Sequence, residues 1–264
     1  MKIENSAIFT GLFDKPSSRF GNAALSLSVG FDSQPCGKSC NEDFFGMVVP
    51  SDDEVEAKGI IVAIADGVSG TGAGRVASEA AVRTLLFDYY GISHAVGVSQ
   101  ALEKLLRSMN SWFKVQGERD SRLEGMATAL SALVVRGKRY FIAHVGDTRV
   151  YLLRAHEITQ LTTDHVWMQR GMQHVLRRAL GLDHHLVVDF IEGDLQAGDL
   201  FLLVSDGVWE VIGAEAVARI LALYHDPQLI ASTLVDNSIQ REAEYKGRND
   251  ATAIVVRVDT CRDH

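Results

Sequence analysis

The chain is 264 residues long, 47% hydrophobic and 23% charged, with a formal net charge of −8; it can bury one substantial core and has the composition of an ordinary water-soluble globular protein. That acidic balance excludes a nucleic-acid surface, which needs clustered Lys and Arg against phosphates. A membrane-spanning chain is excluded as well, because no apolar run approaches ~20 residues; MKIENSAIFTGLFDK at the N-terminus lacks the apolar stretch of a secretory leader, so a cytoplasmic location is expected.

In chain order, AALSLSVGF (23–31), DFFGMVV (43–49) and GIIVAIAD (59–66) are apolar, β-branched or alternating runs that predict strands. GRVASEAAVRTLLFDYY (74–90) and VSQALEKLLRSMNSWFKVQG (98–117) carry helical periodicity. Strand patterns return in TALSALVV (128–135), RYFIAHVGD (139–147), TRVYLLR (148–154) and LFLLVSDG (200–207). A long helical stretch over 214–245, broken near Pro227, precedes a last strand, ATAIVVRV (251–258). Joins as short as VVRGKRYF and HVGDTRVY suit antiparallel hairpins better than crossovers. Runs of strands with helices inserted as blocks predict an α+β layered sandwich, a single domain over 1–264 with no repeat or linker. Cys36, Cys40 and Cys261 are too few and too oddly spaced for a disulfide framework or a structural zinc site, so reduced thiols are expected.

The stretch IADGVSGTGAGR (64–75) has the strand, glycine-rich loop and helix order of a nucleotide cradle. Its glycines argue against one: Arg75 stands where a third Gly of a dinucleotide loop belongs, no Gly-Lys-Ser/Thr ending follows, and Asp66 would oppose a bare phosphate. Asp66 instead joins a pattern. Asp43, Asp66, Asp147, Asp206 and Asp250 all fall where a strand meets a loop. Each alone is ordinary turn chemistry, yet every one of these ends carries Asp. Two carboxylates ~4 Å apart repel by about 4 kcal/mol at an effective dielectric of 20, and ADG and SDG offer no adjacent Lys or Arg. Oxygen-only donors at converging strand ends select Mg²⁺ or Mn²⁺.

NEDFFG (41–46), ADGVSG (65–70), GMATALSALVV (125–135), HVGDTRVYLLR (144–154), LTTDH (161–165), LLVSDGVWE (202–210) and GRNDATAIVV (247–256) occur in the order and approximate spacing of the metal-dependent protein serine/threonine phosphatases of type 2C, bacterial type, which the chain resembles over about residues 25–257. The resemblance implies a four-layer α-β-β-α sandwich of two antiparallel sheets flanked by helices, with a two-metal Mn²⁺ or Mg²⁺ centre at one end. It implies that Asp66 bridges both metals, that Gly67 offers its carbonyl to the first, and that Asp206 and Asp250 ligate the second. Glu42 and Asp43 would hold metal-bound waters, and Asp147 would serve a weaker third metal. Thr128 occupies the position of a family threonine near the metals. The implied reaction is attack on phosphorus by a metal-activated water without a phosphoenzyme, and Cys36 and Cys40 are not in a phosphate-cradling CxxxxxR loop.

Three positions depart from the family pattern. Lys38 stands where an Arg usually forks phosphate oxygens, and supplies charge without the bidentate fork; Arg75 and Arg248 are the alternatives for that guanidinium. Val68 replaces a His proposed as general acid in eukaryotic members, while His144 and His165 are expected to be structural. The usual flap after LTTDH is nearly absent, which opens the cleft to a substrate protein or another domain. A competing reading is a phosphatase-like protein that binds phosphoproteins or a kinase partner with little turnover. The expected partners are a phosphoprotein substrate and a cognate Ser/Thr kinase, to which this domain could be fused in a larger phosphatase-kinase protein; the chain itself is expected to be a monomer.

Overall fold

The structure is a computed structural model and describes residues 7–10, 18–38, 40–68, 72–169, 175–245 and 249–262. Among the described residues, twelve strands form two antiparallel sheets. The first contains β1 (Ala7–Thr10), β4 (Asp43–Val49), β5 (Ile60–Gly67), β6 (Thr128–Arg136), β7 (Arg139–Val145) and β10 (Asp189–Asp194), in the order β1-β4-β5-β6-β7-β10. The second contains β2 (Ser18–Gly21), β3 (Leu25–Gln34), β8 (Arg149–Arg154), β9 (Glu157–Gln160), β11 (Leu200–Val204) and β12 (Ala251–Cys261), in the order β2-β3-β12-β11-β8-β9. The helices are α1 (Asp52–Lys58), α2 (Gly74–Tyr89), α3 (Val98–Arg119), α4 (Asp206–Leu223) and α5 (Pro227–Tyr245).

The side-chain period of two in a strand sorts residues between layers. In β5, Ile60, Val62 and Ile64 enter the core between the sheets. Their alternates Ile61, Ala63 and Ala65 meet Ala77, Ala81 and Leu85 of α2. In β12, Ile254, Val256 and Val258 face the inter-sheet core, while Ala251, Ala253 and Val255 join the core shared with Val208, Ile230 and Leu234 of α4 and α5. Strands covered on both faces read as continuous apolar runs, which is why these two were clear in the sequence. The architecture is therefore the expected α-β-β-α sandwich.

Some elements differ from expectation. The helix expected from residue 214 begins at Asp206, and the chain continues through a kink at Gly213 (φ 73°). The break near Pro227 holds, with Pro227 opening α5 where its missing N–H costs nothing. The short helix α1, opened by the Ser51/Glu54 capping box, and the half-exposed β9 and β10 carry little apolar periodicity and were not anticipated. All three cysteines are free. Among the described residues no helix is long and apolar enough to cross a membrane.

Candidate metal centre

The five strand-end aspartates come to one end of the sandwich. Asp43, first in β4, lies directly opposite Asp66, next to last in β5. Asp147 follows β7 by two residues, Asp206 opens α4 one residue after Ser205 at the end of β11, and Asp250 immediately precedes β12. Two close backbone approaches draw these loops together. A Cβ on Gly207 would lie 2.3 Å from the Asp250 carbonyl oxygen, and one on Gly67 would lie 2.2 Å from that of Gly74. Gly207→Ala is accordingly expected to part Asp206 from Asp250, lowering stability by roughly 1–3 kcal/mol and weakening metal activation; a denaturant midpoint and a Mn²⁺ titration check it.

Asp43 and Asp250 are deeply buried, Asp147 is 8% exposed, and Asp66 and Asp206 keep a partly open edge. Burial pushes the Asp66 carboxyl well above its usual range, helped by the charges of Asp43, Asp206 and Asp147. Burial also raises Asp206 to about 6, with the Glu210 charge adding to it. Asp147 is pushed up to about 7 by burial and then by Asp206 and Asp164. The Asp66 and Asp206 carboxyls are close enough for each to shift the other's pKa, a proximity that favours a shared proton or a cation.

Asp43 is the most informative member. Its Oδ2 accepts from Ser205 Oγ at 2.7 Å and from Thr252 Oγ1 at 2.6 Å, whereas its buried Oδ1 has no partner among the described residues. Ser205 is the N-cap of α4 yet makes no capping bond with its side chain; its hydroxyl goes to Asp43 instead. An orphaned buried carboxylate oxygen costs on the order of 1–3 kcal/mol and suits a water or cation beside it. Among the described residues, no three Asp, Glu, His or Cys side chains are already gathered in a ready-made metal cluster. The donor chemistry nonetheless fits hard divalent cations of the Mg²⁺ type, which use few carboxylates and retain several waters.

The loop before β4 supplies the other predicted residues. Asp250 Oδ1 accepts from the Cys36 N–H at 3.1 Å, and its Oδ2 from the Glu42 N–H at 2.8 Å and Lys38 Nζ at 3.3 Å. Lys38 Nζ also lies 2.9 Å from Glu42 Oε2, so its ammonium is committed to two carboxylates at the edge of the cluster. The Glu42 carbonyl accepts from the Gly67 N–H at 3.1 Å and from Ser78 Oγ at 2.6 Å. Thr128 Oγ1 donates to the Asp66 carbonyl at 2.7 Å, fixing the backbone that aims Asp66. Arg75 donates to the Asn41 carbonyl. Arg248, and the glycine at position 70, lie outside the described residues.

The His144 and His165 rings are in tilted contact, centroids 4.9 Å apart. His144 Nε2 meets the Thr163 carbonyl at 3.1 Å and must donate there, so Nδ1 accepts from Ser131 Oγ at 2.9 Å. His165 Nδ1 accepts from the Gly146 N–H, which leaves Nε2 to donate to Asp189. Burial lowers His144 to about 4, keeping it neutral. The sequence reading missed Ser205 and Thr252, the Asn249 amide that donates to Asp206 at 3.1 Å, and a brace beneath Asp147. In that brace Trp209 Nε1 donates to the Asp147 carbonyl at 3.0 Å, its ring lies 3.4 Å below the Arg149 guanidinium, and Arg149 pairs with Asp164 at 2.6 Å. Ser205, Trp209, Asn249 and Thr252 were inside the quoted SDGVWE and NDAT motifs, but nothing local marked their partners.

Where a flap was expected to be nearly absent, Val166 bridges Leu176 and the Trp167 N–H donates to the Val175 carbonyl at 3.0 Å; residues 170–174 lie outside the described residues.

Comparison with known proteins agrees with this geometry. The protein phosphatase 2C family model matches residues 36–242. The chain is 32% identical over 238 residues to the serine/threonine phosphatase stp of Listeria monocytogenes, covering 83% of this chain and 90% of that one. It resembles the solved Mycobacterium tuberculosis serine/threonine phosphatase PstP/Ppp at 25% identity and TM-score 0.74, over 90% of this chain and 99% of the other. It also resembles the catalytic domain of PstP in complex with 2 manganese ions at 26% identity and TM-score 0.74, over 89% and 99%. The chain belongs to the protein phosphatase 2C family, the metal-dependent serine/threonine protein phosphatases.

Proposed function

We propose that this chain is one type-2C phosphatase domain that removes phosphate from phosphoserine and phosphothreonine in proteins at the Asp43/Asp66/Asp147/Asp206/Asp250 end of the sandwich. The observation that carries the assignment is the unpartnered Oδ1 of Asp43 inside a set of carboxyls held above their usual pKa. Asp66, Asp206 and Asp250, with the Gly67 carbonyl, are the residues to hold Mn²⁺ or Mg²⁺, with Asp147 for a further ion. Bound there, the cations supply Lewis acidity, activation of water as nucleophile and neutralisation of phosphoryl charge. The chain's own contribution is orientation. Ser205 and Thr252 saturate Asp43 Oδ2 and leave Oδ1 to accept from water, while Glu42, held by Lys38, lines the same edge. Lys38 brings positive charge to the phosphate side as a point charge without a fork. A cognate kinase as partner, a cytoplasmic location and a monomeric state belong to this proposal.

The second reading, a phosphatase-like protein with little turnover, draws on the engagement of Lys38 with Glu42 and Asp250. Hydrolysis of p-nitrophenyl phosphate and of a phosphothreonine peptide separates the two. Mn²⁺-dependent turnover of both, lost with a chelator, is the expected result; equal and negligible rates with metal and with chelator would establish the binding protein.

A further inference from the structure

The opposite end of the sandwich has the reverse electrostatics. In β6, Thr128 stands at the carboxylate end and Arg136 at the far end, a separation of roughly 25 Å at ~3.3 Å per residue. Arg136 and Arg139 are directly opposite each other across β6 and β7, joined by the two-residue turn Gly137–Lys138. Like charges so placed destabilise a hairpin. They line a cavity of about 310 Å³ that spans both sheets, together with Arg262 from the end of β12, Asn22 from the β2–β3 turn, Phe141 and Glu56.

Arg139 has one exposed counter-charge, Glu192 at 3.1 Å, and stacks on Phe141. Arg136 and Arg262 make no ion pair among the described residues. Burial first, and then the charge of Arg136, hold the Lys58 ammonium below its usual range, so the Arg136 charge is felt inside the fold. Asn22 Oδ1 is occupied by the N–H groups of Ala24 and Leu25, which leaves only its NH₂ donors for a ligand. Against Glu56 and the Glu192 that pairs with Arg139, the three guanidiniums keep a local excess of one positive charge in a chain whose net charge is −8. Guanidinium forks match tetrahedral oxyanions bidentately, and Arg136 and Arg262, which make no ion pair among the described residues, are the two forks left to meet one.

We propose that the Arg136/Arg139/Arg262 cavity is a second phosphate-binding site, remote from the metal centre, for a phosphate dianion that is either free or carried on a protein side chain. The proposal does not rest on the phosphatase reading, because phosphate binding there requires neither metal nor turnover. The full chain, dialysed free of metal and chelator so that the carboxylate end repels anions, is titrated with inorganic phosphate and, separately, with a phosphothreonine peptide and its unphosphorylated form, following backbone amide shifts. Saturable shifts at Asn22, Gly137 and Lys138 are expected with phosphate or the phosphopeptide, and none with the unphosphorylated peptide. A phosphopeptide bound more tightly than phosphate identifies a protein-borne group, and equal affinities identify free phosphate; both uphold the site. Arg136→Gln with Arg139→Gln weakens binding by roughly ten-fold or more and leaves Mn²⁺-dependent p-nitrophenyl phosphate hydrolysis unchanged. No saturable shift with either probe, or shifts that map elsewhere or persist in the double variant, would overturn the proposal.

Discussion

Asp206→Asn abolishes Mn²⁺-stimulated hydrolysis, by roughly 10²–10³ or more, and at the same time raises the thermal stability of the metal-free protein. The two effects have one cause. Asp206 neighbours Asp66 and is held near 6 by burial and by the Glu210 charge, so at neutral pH its ionised form is unfavourable in the folded state. Asn keeps an oxygen to accept from Asn249 and removes the charge. A two-unit shift corresponds to about 3 kcal/mol, and the partly open edge of Asp206 reduces the expected gain to about 2 kcal/mol. Stabilisation with loss of function is the signature of a strained site. Kinetics and chemical denaturation of one protein preparation check both halves; near-wild-type turnover would mean that Asp206 is not a metal ligand, and a less stable metal-free variant would mean that its charge is not under strain.

Between about pH 6.5 and 8 the metal-free protein loses stability as pH rises, and Mn²⁺ reverses that trend. A carboxyl whose folded pKa is raised holds its proton in the native state after the unfolded chain has released it. The native state therefore binds more protons, and stability falls as pH rises through the folded pKa. Asp147, moved from 3.8 to about 7, acts in this window, and the raised Asp66 and Asp43 have the same sign. His144, lowered to about 4, and His165, also lowered, have the opposite sign; in the unfolded chain they are half protonated at about pH 6.5 and neutral by about pH 7.5, so their opposing contribution fades across the lower half of the window. Each carboxyl titrating in the window contributes at most about 1.4 kcal/mol per pH unit. Melting temperatures across the window, with and without Mn²⁺, test this, and Asp147→Asn flattens the metal-free curve. A metal-free curve that rises with pH would show that the carboxylates are not mutually strained.

The carboxylate end was legible in the sequence to an unusual degree because its signals are local. A strand buried on both faces is a run of apolar residues, as in GIIVAIA, and the aspartate that ends it is the next letter. Short or half-exposed elements such as β9, β10 and α1 have no such signal, since few of their side chains are excluded from water. Partnership was not legible either. Ser205 and Thr252 reach Asp43 across 162 and 209 residues of chain, and only the stacking of one sheet against the other brings them there. Lys38 could be recognised as a departure, yet its engagement with Asp250, 212 residues away, required the closed sandwich. RGKR read as a hairpin turn and nothing more; its meeting with Arg262 follows from β6–β7 and β12 ending on the same side of two different sheets. The sequence by itself determined which strands are buried, that each of five strand ends carries an acid, and the family that pattern resembles. The tertiary structure decided which charges meet, because Coulomb energy and desolvation depend on distance through space, and the order of residues along the chain does not encode that distance.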